Sequence, residues 1–432
     1  MRQMLIIADD LSGAADCGIA CAGHGLNTIV ILGDVEDEID AEVLSIDADT
    51  RNLTPKAAAS EVARILNRYN LDEDHLLFKK LDSTLRGNVA AELAAILEVR
   101  RNHASNRQRI VAVMAPAFPA SGRTTVNGHQ LIHGKPLEET DAWQRETTLA
   151  QSNIPAVLRE ANLQSTLIDL DLIRSGAQAL QHAMARLSEK TDVLICDAET
   201  DQDLSTIAEA SINLGRSTVW AGSAGLAYHL PQVAGFVRAT VTIPQRPLAS
   251  GPTLFVIGSL SGVSRKQFAL LASSSDVVVI SIPPNVLLSG THSREYSEHA
   301  LALKNAMGAG IDTVVLPASE PRLQSTHGQP LSAALAQFVA PCADRIGALV
   351  ATGGETARSV LQAWGVSQLR LIRELEPGLP LSVTEGWPRQ LPLLTKAGGF
   401  GAPRTLLHCR QFLQQLDRSS AASLHHVKSK GL

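Results

Sequence analysis

The chain has 432 residues, of which 19% are charged and 45% hydrophobic, and its formal net charge is −5. A length of that order implies two or three domains with ample buried cores. So small an acidic excess gives no field that would draw nucleic acid or an anionic membrane surface, so positive charge used on an anionic ligand has to be held locally. Cys17, Cys21, Cys196, Cys342 and Cys409 form no Cys-x-x-Cys pair. This argues against a zinc ribbon or a thioredoxin-like motif and for small buried thiols in a reducing compartment. No protein-built metal site is expected. Met1-Arg2-Gln3-Met4 leads straight into an apolar run without a cleavage pattern, and runs such as 277–282 are too short to span a bilayer. The expected location is the cytoplasm, with neither nucleic acid nor membrane as a partner.

Short β-branched runs alternate with longer amphipathic stretches, the pattern of an α/β chain with mainly parallel sheets. Strands are expected at Met4–Ala8, Thr28–Leu32, Val43–Asp47, 75–79, 110–114, 166–168, Val193–Cys196 and 218–220. Helices are expected at Pro55–Arg68, 90–99, Ala177–Ser188 and 203–214. Residues 124–137 carry Asn127-Gly128 between alternating residues, a strong short hairpin signal, and should decorate one end of the sheet. Pro244, Pro247, Gly251 and Pro252 then interrupt the periodicity and mark a boundary. The alternation restarts with strands at 254–257, 277–282, 313–316, Ala348–Thr352 and 379–383, and helices at 264–272, 294–307, 331–339 and 356–364. The polar segment after Arg418 is expected to fray. Two α/β domains on a short linker make a cleft, which is where a ligand site is expected.

The run Ile6-Ile7-Ala8-Asp9-Asp10-Leu11-Ser12-Gly13 ends a strand in two carboxylates and opens a helix of small residues. Ligands of open α/β sheets gather at the carboxyl ends of strands. One carboxylate is thus placed to accept hydrogen bonds from substrate hydroxyls and the other to cap the helix, although both would also serve simply as caps. Arg51, in Asp47-Ala48-Asp49-Thr50-Arg51, offers a planar fork suited to a carboxylate; a solvated Arg after a turn fits equally well. Between strand and helix, Phe78-Lys79-Lys80-Leu81-Asp82-Ser83-Thr84-Leu85-Arg86-Gly87-Asn88 gathers lysines, an Asp, hydroxyls and an Arg. Ser83 or Thr84 is placed to cap that helix, and Lys80 and Arg86 to neutralise an anionic substrate or a transferring phosphoryl group.

Downstream, Gly258-Ser259-Leu260-Ser261-Gly262 and Thr352-Gly353-Gly354-Glu355-Thr356 each join a strand to a helix, and Lys396-Ala397-Gly398-Gly399-Phe400-Gly401 adds a further glycine loop. Such turns let backbone N–H groups approach phosphates at helix N-termini. None matches Walker A or the G-x-G-x-x-G dinucleotide pattern, so together they point to a nucleotide site of another design. Ala221-Gly222-Ser223-Ala224-Gly225-Leu226 reads as tight helix–strand packing, with a part in the site left open. The missing dinucleotide pattern counts against an oxidoreductase of this fold class. The glycine loops count against a non-catalytic sugar-acid binding protein.

Taken in order, Ile7-Ala8-Asp9-Asp10, the stretch from Lys80 to Asn88, Gly258-Ser259, Gly353-Gly354-Glu355-Thr356 and Gly398-Gly399-Phe400-Gly401 resemble the four-carbon acid sugar kinase family across nearly the whole chain. Leu11-Ser12 departs from the Phe-Thr of many relatives. The resemblance implies an N-terminal substrate-binding domain (1–243), a C-terminal nucleotide-binding domain (252–418), a flexible tail (419–432) and reaction in the cleft between the domains. Members phosphorylate the 4-hydroxyl of D-threonate, D-erythronate or 3-oxo-tetronates with ATP; overall similarity makes D-threonate the expected acid. Asp9, Asp10, Arg51, Lys80, Leu81, Asp82 and Ser83 correspond to substrate contacts, and Ser259, Gly353, Gly354, Glu355, Thr356 and Gly399 to ATP contacts. In the expected in-line transfer, Arg51 and Lys80 hold the carboxylate and neighbouring hydroxyls, and Asp82, or one of Asp9 and Asp10, takes the proton. Mg2+ is expected to arrive with ATP rather than in a protein cage. A homodimer is left open.

Overall fold

Runs such as Met4-Leu5-Ile6-Ile7-Ala8 have no polar face, and a strand of that kind is stable only when both of its faces are covered. The computed structural model describes residues 3–35, 39–69, 75–104, 109–140, 151–215, 218–238, 248–259, 261–274, 276–318 and 328–428. The chain divides into two compact units, Met1–Val241 and Thr242–Leu432. Of the stretch 242–252 read as the boundary, residues 242–247 lie outside the described residues.

In the first unit the strands are β1 (Met4–Ala8), β2 (Thr28–Leu32), β3 (Val43–Asp47), β4 (Leu76–Lys80), β5 (Val111–Ala115), β6 (Arg123–Val126), β7 (His129–Ile132), β8 (Lys135–Pro136), β9 (Ser165–Ile168), β10 (Val193–Cys196) and β11 (Thr218–Gly222). The main sheet runs β2-β3-β1-β4-β11-β5-β10-β9, with every neighbouring pair parallel. Alternation along β1 sends Leu5 and Ile7 to one face, against Val62, Ile65, Leu93 and Ile96 of the helices Pro55–Arg68 and Val89–His103. Met4 and Ile6 face Cys17, Cys21, Leu180, Leu204 and Trp220 on the other. Each such aliphatic side chain contributes about 1.5–3 kcal/mol by leaving water. All five cysteines are buried and free, as small apolar residues.

The Asn127-Gly128 signal is realised: β6, β7 and β8 form a separate small antiparallel sheet, and both turn residues have positive φ, 51° and 71°. Asp197 anchors the turn, its Oδ2 and Oδ1 accepting the Asn127 and Gly128 N–H groups at 2.7 and 2.9 Å. The Ala221–Leu226 segment is packing, as read. A Cβ on Gly222 would lie 2.5 Å from the Ala115 carbonyl oxygen, and one on Gly225 2.9 Å from Leu204 Cδ1.

The second unit contains β12 (Thr253–Ile257), β13 (Val278–Ile282), β14 (Thr313–Pro317), β15 (Ala348–Thr352), β16 (Gln368–Glu376), β17 (Leu379–Glu385) and β18 (Pro392–Lys396), in the order β13-β14-β12-β15-β18-β17-β16. β13, β14, β12, β15 and β18 are mutually parallel, while β17 runs antiparallel to both β18 and β16. β16 and β18 were not among the expected strands. In β16, Gln-Leu-Arg-Leu-Ile-Arg-Glu-Leu-Glu carries bulges that break strict alternation, and β18 is a short apolar run after a proline. The last helix, Thr405–Lys428, extends past residue 418 into the segment read as a tail.

That helix is clasped to the amino ends of the strands. Arg410 Nε donates to Asp312 Oδ2 at 2.6 Å, and its terminal nitrogens hold the Asp276 carboxylate at 2.9 and 2.7 Å. Asp312 also accepts the Thr253 N–H at 2.7 Å and Gln414 Nε2 at 3.0 Å. Asp312 is buried, so removing Arg410 strands a desolvated carboxylate. Arg410→Ala should cost about 3 kcal/mol in the urea transition of this unit. The same substitution in an Asp312→Asn background should cost much less; equal losses in both backgrounds would contradict the clasp.

Candidate active site

In the first unit, the order β3-β1-β4 places three loops side by side at strand carboxyl ends. Asp9 and Asp10 follow β1, Arg51 follows β3, and Lys80, Leu81, Asp82 and Ser83 close β4. Arg51 Nε and Nη2 donate to Asp9 Oδ2 and Oδ1 at 2.7 and 3.0 Å, and Nη1 donates to Asp10 Oδ2 at 2.6 Å. Asp10 also caps the helix Leu11–Gly23, its Oδ1 accepting the Gly13 N–H at 2.7 Å. The capping role read for one carboxylate is therefore Asp10's. The bidentate grip expected of Arg51 on a substrate carboxylate is instead spent on Asp9 and Asp10. Gly87 (φ 85°) lets the chain pass close, since a Cβ there would lie 3.1 Å from Asp9 Oδ2.

Electrostatics here are dominated by burial and pairing. Burial alone would push the Asp9 carboxyl up, but Arg51, Lys79 and Lys80 outweigh it and hold it below the usual range. Asp82 is likewise buried yet held well below that range by Arg86, Arg51 and Lys80. Asp82 Oδ2 accepts the Thr84 hydroxyl at 2.5 Å and Arg86 Nε, and Oδ1 accepts Arg86 Nη2 at 3.3 Å. This corrects the expectation that Ser83 or Thr84 caps the next helix. That helix starts after Asn88, whose side-chain amide reaches the Thr50 and Leu53 carbonyls instead. Burial would lower the pKa of Lys80, but the carboxylates of Asp16, Asp9 and Asp10 oppose it and keep the ammonium charged. Its Nζ lies 3.1 Å from where a Cβ on Gly13 would sit, so the small residue makes room for the cation. The neighbouring Lys79 turns into the core, where Nζ pairs with Glu92 at 2.7 Å.

Two residues of the hairpin lie near this group, a neighbourhood the sequence reading did not anticipate. Gln130 is buried, its Oε1 accepting the Thr125 hydroxyl at 2.7 Å and its Nε2 donating to the Ser83 carbonyl at 2.8 Å. Arg123 lies in the electrostatic neighbourhood of Asp82, Arg86 and Asp16. The hairpin signal predicted a turn but gave no sign of where its side chains would point.

In the second unit, β12, β15 and β18 are adjacent and parallel, which brings the three glycine loops together. Gly258 must be glycine, since a Cβ there would lie 1.8 Å from Thr356 Oγ1, and one on Gly398 would lie 2.2 Å from Ser259 Oγ. Ser261 Oγ and Ser264 Oγ both donate to the Gly398 carbonyl, at 2.6 and 2.9 Å. Gly353 (φ 95°) precedes the helix Gly354–Ala363, which no side chain caps, so its first N–H groups and positive dipole end are suited to receiving an anion. Glu355 occupies the first turn of that helix and is exposed. Nothing crowds a Cβ placed on Gly399, which leaves that stretch of backbone open. Ser259, Gly353, Gly354, Glu355, Thr356 and Gly399 thus share the carboxyl ends of neighbouring strands. Leu260 lies outside the described residues.

The loop 397–401 depends on Lys396. Its ammonium donates to the carbonyls of Ala397, Gly398 and Phe400 at 3.0, 3.3 and 3.0 Å, and burial pulls its pKa down to about 8.

An acid-lined polar group of residues at the strand ends of the first unit and a set of glycine loops at the strand ends of the second are the kinds of arrangement a phosphotransferase uses. Family models agree: one described as a sugar-binding N-terminal domain matches residues 4–230, and one described as a nucleotide-binding C-terminal domain matches residues 254–406. The chain is 38% identical over 426 residues to a D-threonate kinase of Cupriavidus necator, covering 96% of this chain and 99% of that protein. It is 29% identical to a D-threonate kinase of Salmonella typhimurium, again covering 96% and 99%. A crystal structure of a Haemophilus influenzae protein shares the fold, with a TM-score of 0.72 at 20% identity over 96% of this chain and 100% of that one. The chain belongs to the four-carbon acid sugar kinase family.

Lys396 gives a pH test. It is protonated below about pH 8 in the folded chain and below about 10.4 when unfolded. Its contribution to stability therefore rises with pH between those values, while the loop loses a donor. Since bound phosphates favour the charged form, kcat/KM for ATP should fall above about pH 8 while kcat at saturating ATP stays level. Lys396→Met should abolish that step and raise KM for ATP roughly tenfold or more. An unchanged KM would contradict the loop-holding role.

Proposed function

We propose that this protein transfers the γ-phosphoryl group of ATP to the 4-hydroxyl of D-threonate, giving 4-phospho-D-threonate and ADP. The observation that carries the reading is the set Asp9, Asp10, Arg51, Lys80 and Asp82 at adjoining strand ends, which combines hydroxyl acceptors with a buried cation. The 38% identity over nearly the full chain to a protein named D-threonate kinase supports the choice of acid. D-erythronate and 3-oxo-tetronates are the alternative substrates.

Phosphoryl transfer asks mainly for positioning and charge neutralisation. Asp10 is the proton acceptor in this reading. Its side chain is 20% exposed, against 4% for Asp9, so it can meet a hydroxyl while Arg51 and the Gly13 N–H fix its orientation. Arg51 is a positioning residue. Asp82, strongly acidic and held by Thr84 and Arg86, accepts a hydrogen bond from a substrate hydroxyl, aided by the Leu81–Ser83 backbone. Lys80 neutralises charge on the transferring group. Ser259, Gly353–Thr356 and Gly399 receive the nucleotide phosphates. Magnesium travels with ATP and keeps most of its waters; among the described residues no cluster of metal-ligating side chains forms a cage. Among them, too, no helix is long and apolar enough to cross a membrane.

The test is ADP release with magnesium and ATP across D-threonate, L-threonate, D-erythronate, L-erythronate and 3-oxo-tetronates. Turnover of D-threonate well above the rest is expected; folded protein that turns over none of them overturns the reading. Asp10→Asn keeps a good helix cap and should lower kcat by roughly 10²–10⁴-fold. Wild-type turnover in that variant would remove Asp10 as the proton acceptor.

A further inference from the structure

Arg51 reaches Asp9 and Asp10 only while the turn that carries it is fixed. The inner edge of that turn is held by β1. The Ala48 N–H donates to the Ala8 carbonyl at 2.9 Å, and the Thr50 and Arg51 N–H groups both donate to the Asp9 carbonyl, at 3.1 and 3.3 Å. The turn closes on itself where the Leu53 N–H meets the Thr50 carbonyl at 3.1 Å. Its outer edge is held from the other side by one side chain. Asn88 Nδ2 donates to the Thr50 carbonyl at 2.9 Å and to the Leu53 carbonyl at 3.0 Å. A side-chain amide nitrogen carries two hydrogens, so it serves both ends of the turn at once.

A helix cap is given up for this bridge. Asn88 occupies the N-cap position of the helix Val89–His103, where an asparagine ordinarily turns its side-chain oxygen back on the first N–H groups. Here its side chain makes no capping bond, and the amide is spent on carbonyls 38 and 35 positions earlier in the chain. The preceding residue, Gly87, has φ 85°, and a Cβ there would lie 3.1 Å from Asp9 Oδ2, 3.6 Å from Arg51 Cα and 3.8 Å from Arg51 Cγ. Arg86, one position earlier, pairs with Asp82. Three consecutive residues, 86–88, therefore lie against Asp82, the Asp9–Arg51 pair and the turn that carries Arg51.

We propose that Asn88 is a positioning residue of the acid site. By bridging the Thr50 and Leu53 carbonyls it fixes the backbone from which Arg51 reaches Asp9 and Asp10. Through Arg51 it fixes the direction in which Asp10 meets the substrate hydroxyl. The proposal rests on the sugar-acid kinase reading and adds to it the residue that keeps the Asp–Arg group in place. Without the bridge the turn keeps its hydrogen bonds to β1 but loses its outer edge, and the guanidinium no longer holds both carboxylates in one geometry. Misplacing a reacting group by about an ångström is enough to slow a reaction severely. Burial pushes the Asp9 carboxyl up and Arg51 leads the charges that hold it down, so loosening Arg51 lets the pair take up a proton at higher pH.

The experiment compares the wild-type protein with Asn88→Ser, Asn88→Asp, Arg51→Lys and the double variant Arg51→Lys/Asn88→Ser in steady-state kinetics with D-threonate and magnesium–ATP, following kcat/KM for D-threonate against pH. Serine and aspartate are both good N-cap residues, but neither offers two N–H hydrogens to the turn. A residue needed only to start the helix would tolerate both changes. Both Asn88 variants should instead lose roughly tenfold to a hundredfold in kcat, with KM for ATP unchanged. In Asn88→Ser, which adds no charge, the acid limb of the pH profile should move to higher pH. The loss in the double variant should fall well short of the product of the two single losses, since Asn88 acts through Arg51. Wild-type kcat with an unmoved acid limb, or losses that multiply in full, would overturn the role of Asn88 while leaving the kinase reading intact. Wild-type protein that turns over no four-carbon acid would overturn both.

Discussion

Arg51 reaches across from the end of β3 and closes three hydrogen bonds on the two carboxylates that end β1. Two acids adjacent in sequence, one of them almost wholly buried, would repel each other and be forced toward protonation without that guanidinium. With it, Asp9 is held anionic and Asp10 is left with a fixed direction and partial exposure. The pairing is possible because β1 and β3 are parallel neighbours whose last residues, Ala8 and Asp47, lie in register. The chemistry of the acid site therefore depends on strand direction before it depends on any single side chain.

The glycine loops proposed to receive the nucleotide obey the same constraint with different materials. Three adjacent parallel strands deliver Gly258, Gly353 and the loop after Lys396 to one place, and small residues let these loops interpenetrate. Rigidity comes from polar side chains behind the loop, namely Ser261, Ser264, Lys396 and Gln267, whose amide donates to the Phe400 and Ala402 carbonyls at 3.1 and 2.9 Å. On its other side Phe400 lies against Gly378 in the β16–β17 turn, where a Cβ would come within 2.7 Å of the ring. The antiparallel pair thereby braces a loop of the parallel sheet.

Much of this is legible in the sequence, and the parts that are not share a cause. The apolar runs of β1, β10 and β15 announce buried parallel strands, and the acids and glycines that follow them announce strand-end sites. What local sequence cannot carry is partner choice. Nothing near Arg51 says that its guanidinium meets Asp9 and Asp10, forty-odd residues away, rather than a ligand. Thr84 has the makings of a cap, yet its hydroxyl is taken by Asp82 two residues before it. Arg123 and Gln130 sit on a hairpin whose turn is obvious and whose destination is set by a buried amide contact across 47 residues. β16 escaped because bulges spoil its period.

The proposed function divides the labour so that the first unit takes the acid and the second the nucleotide. Hydrogen exchange of the backbone amides, with D-threonate alone and with magnesium–ATP alone, tests it most directly. The account predicts that the acid slows exchange at 9–16, 48–53 and 80–88 and leaves the glycine loops unchanged, while the nucleotide slows 258–262, 353–357 and 397–401. Protection of the Asp9–Asp10 segment by magnesium–ATP alone, with no effect on the glycine loops, would contradict it.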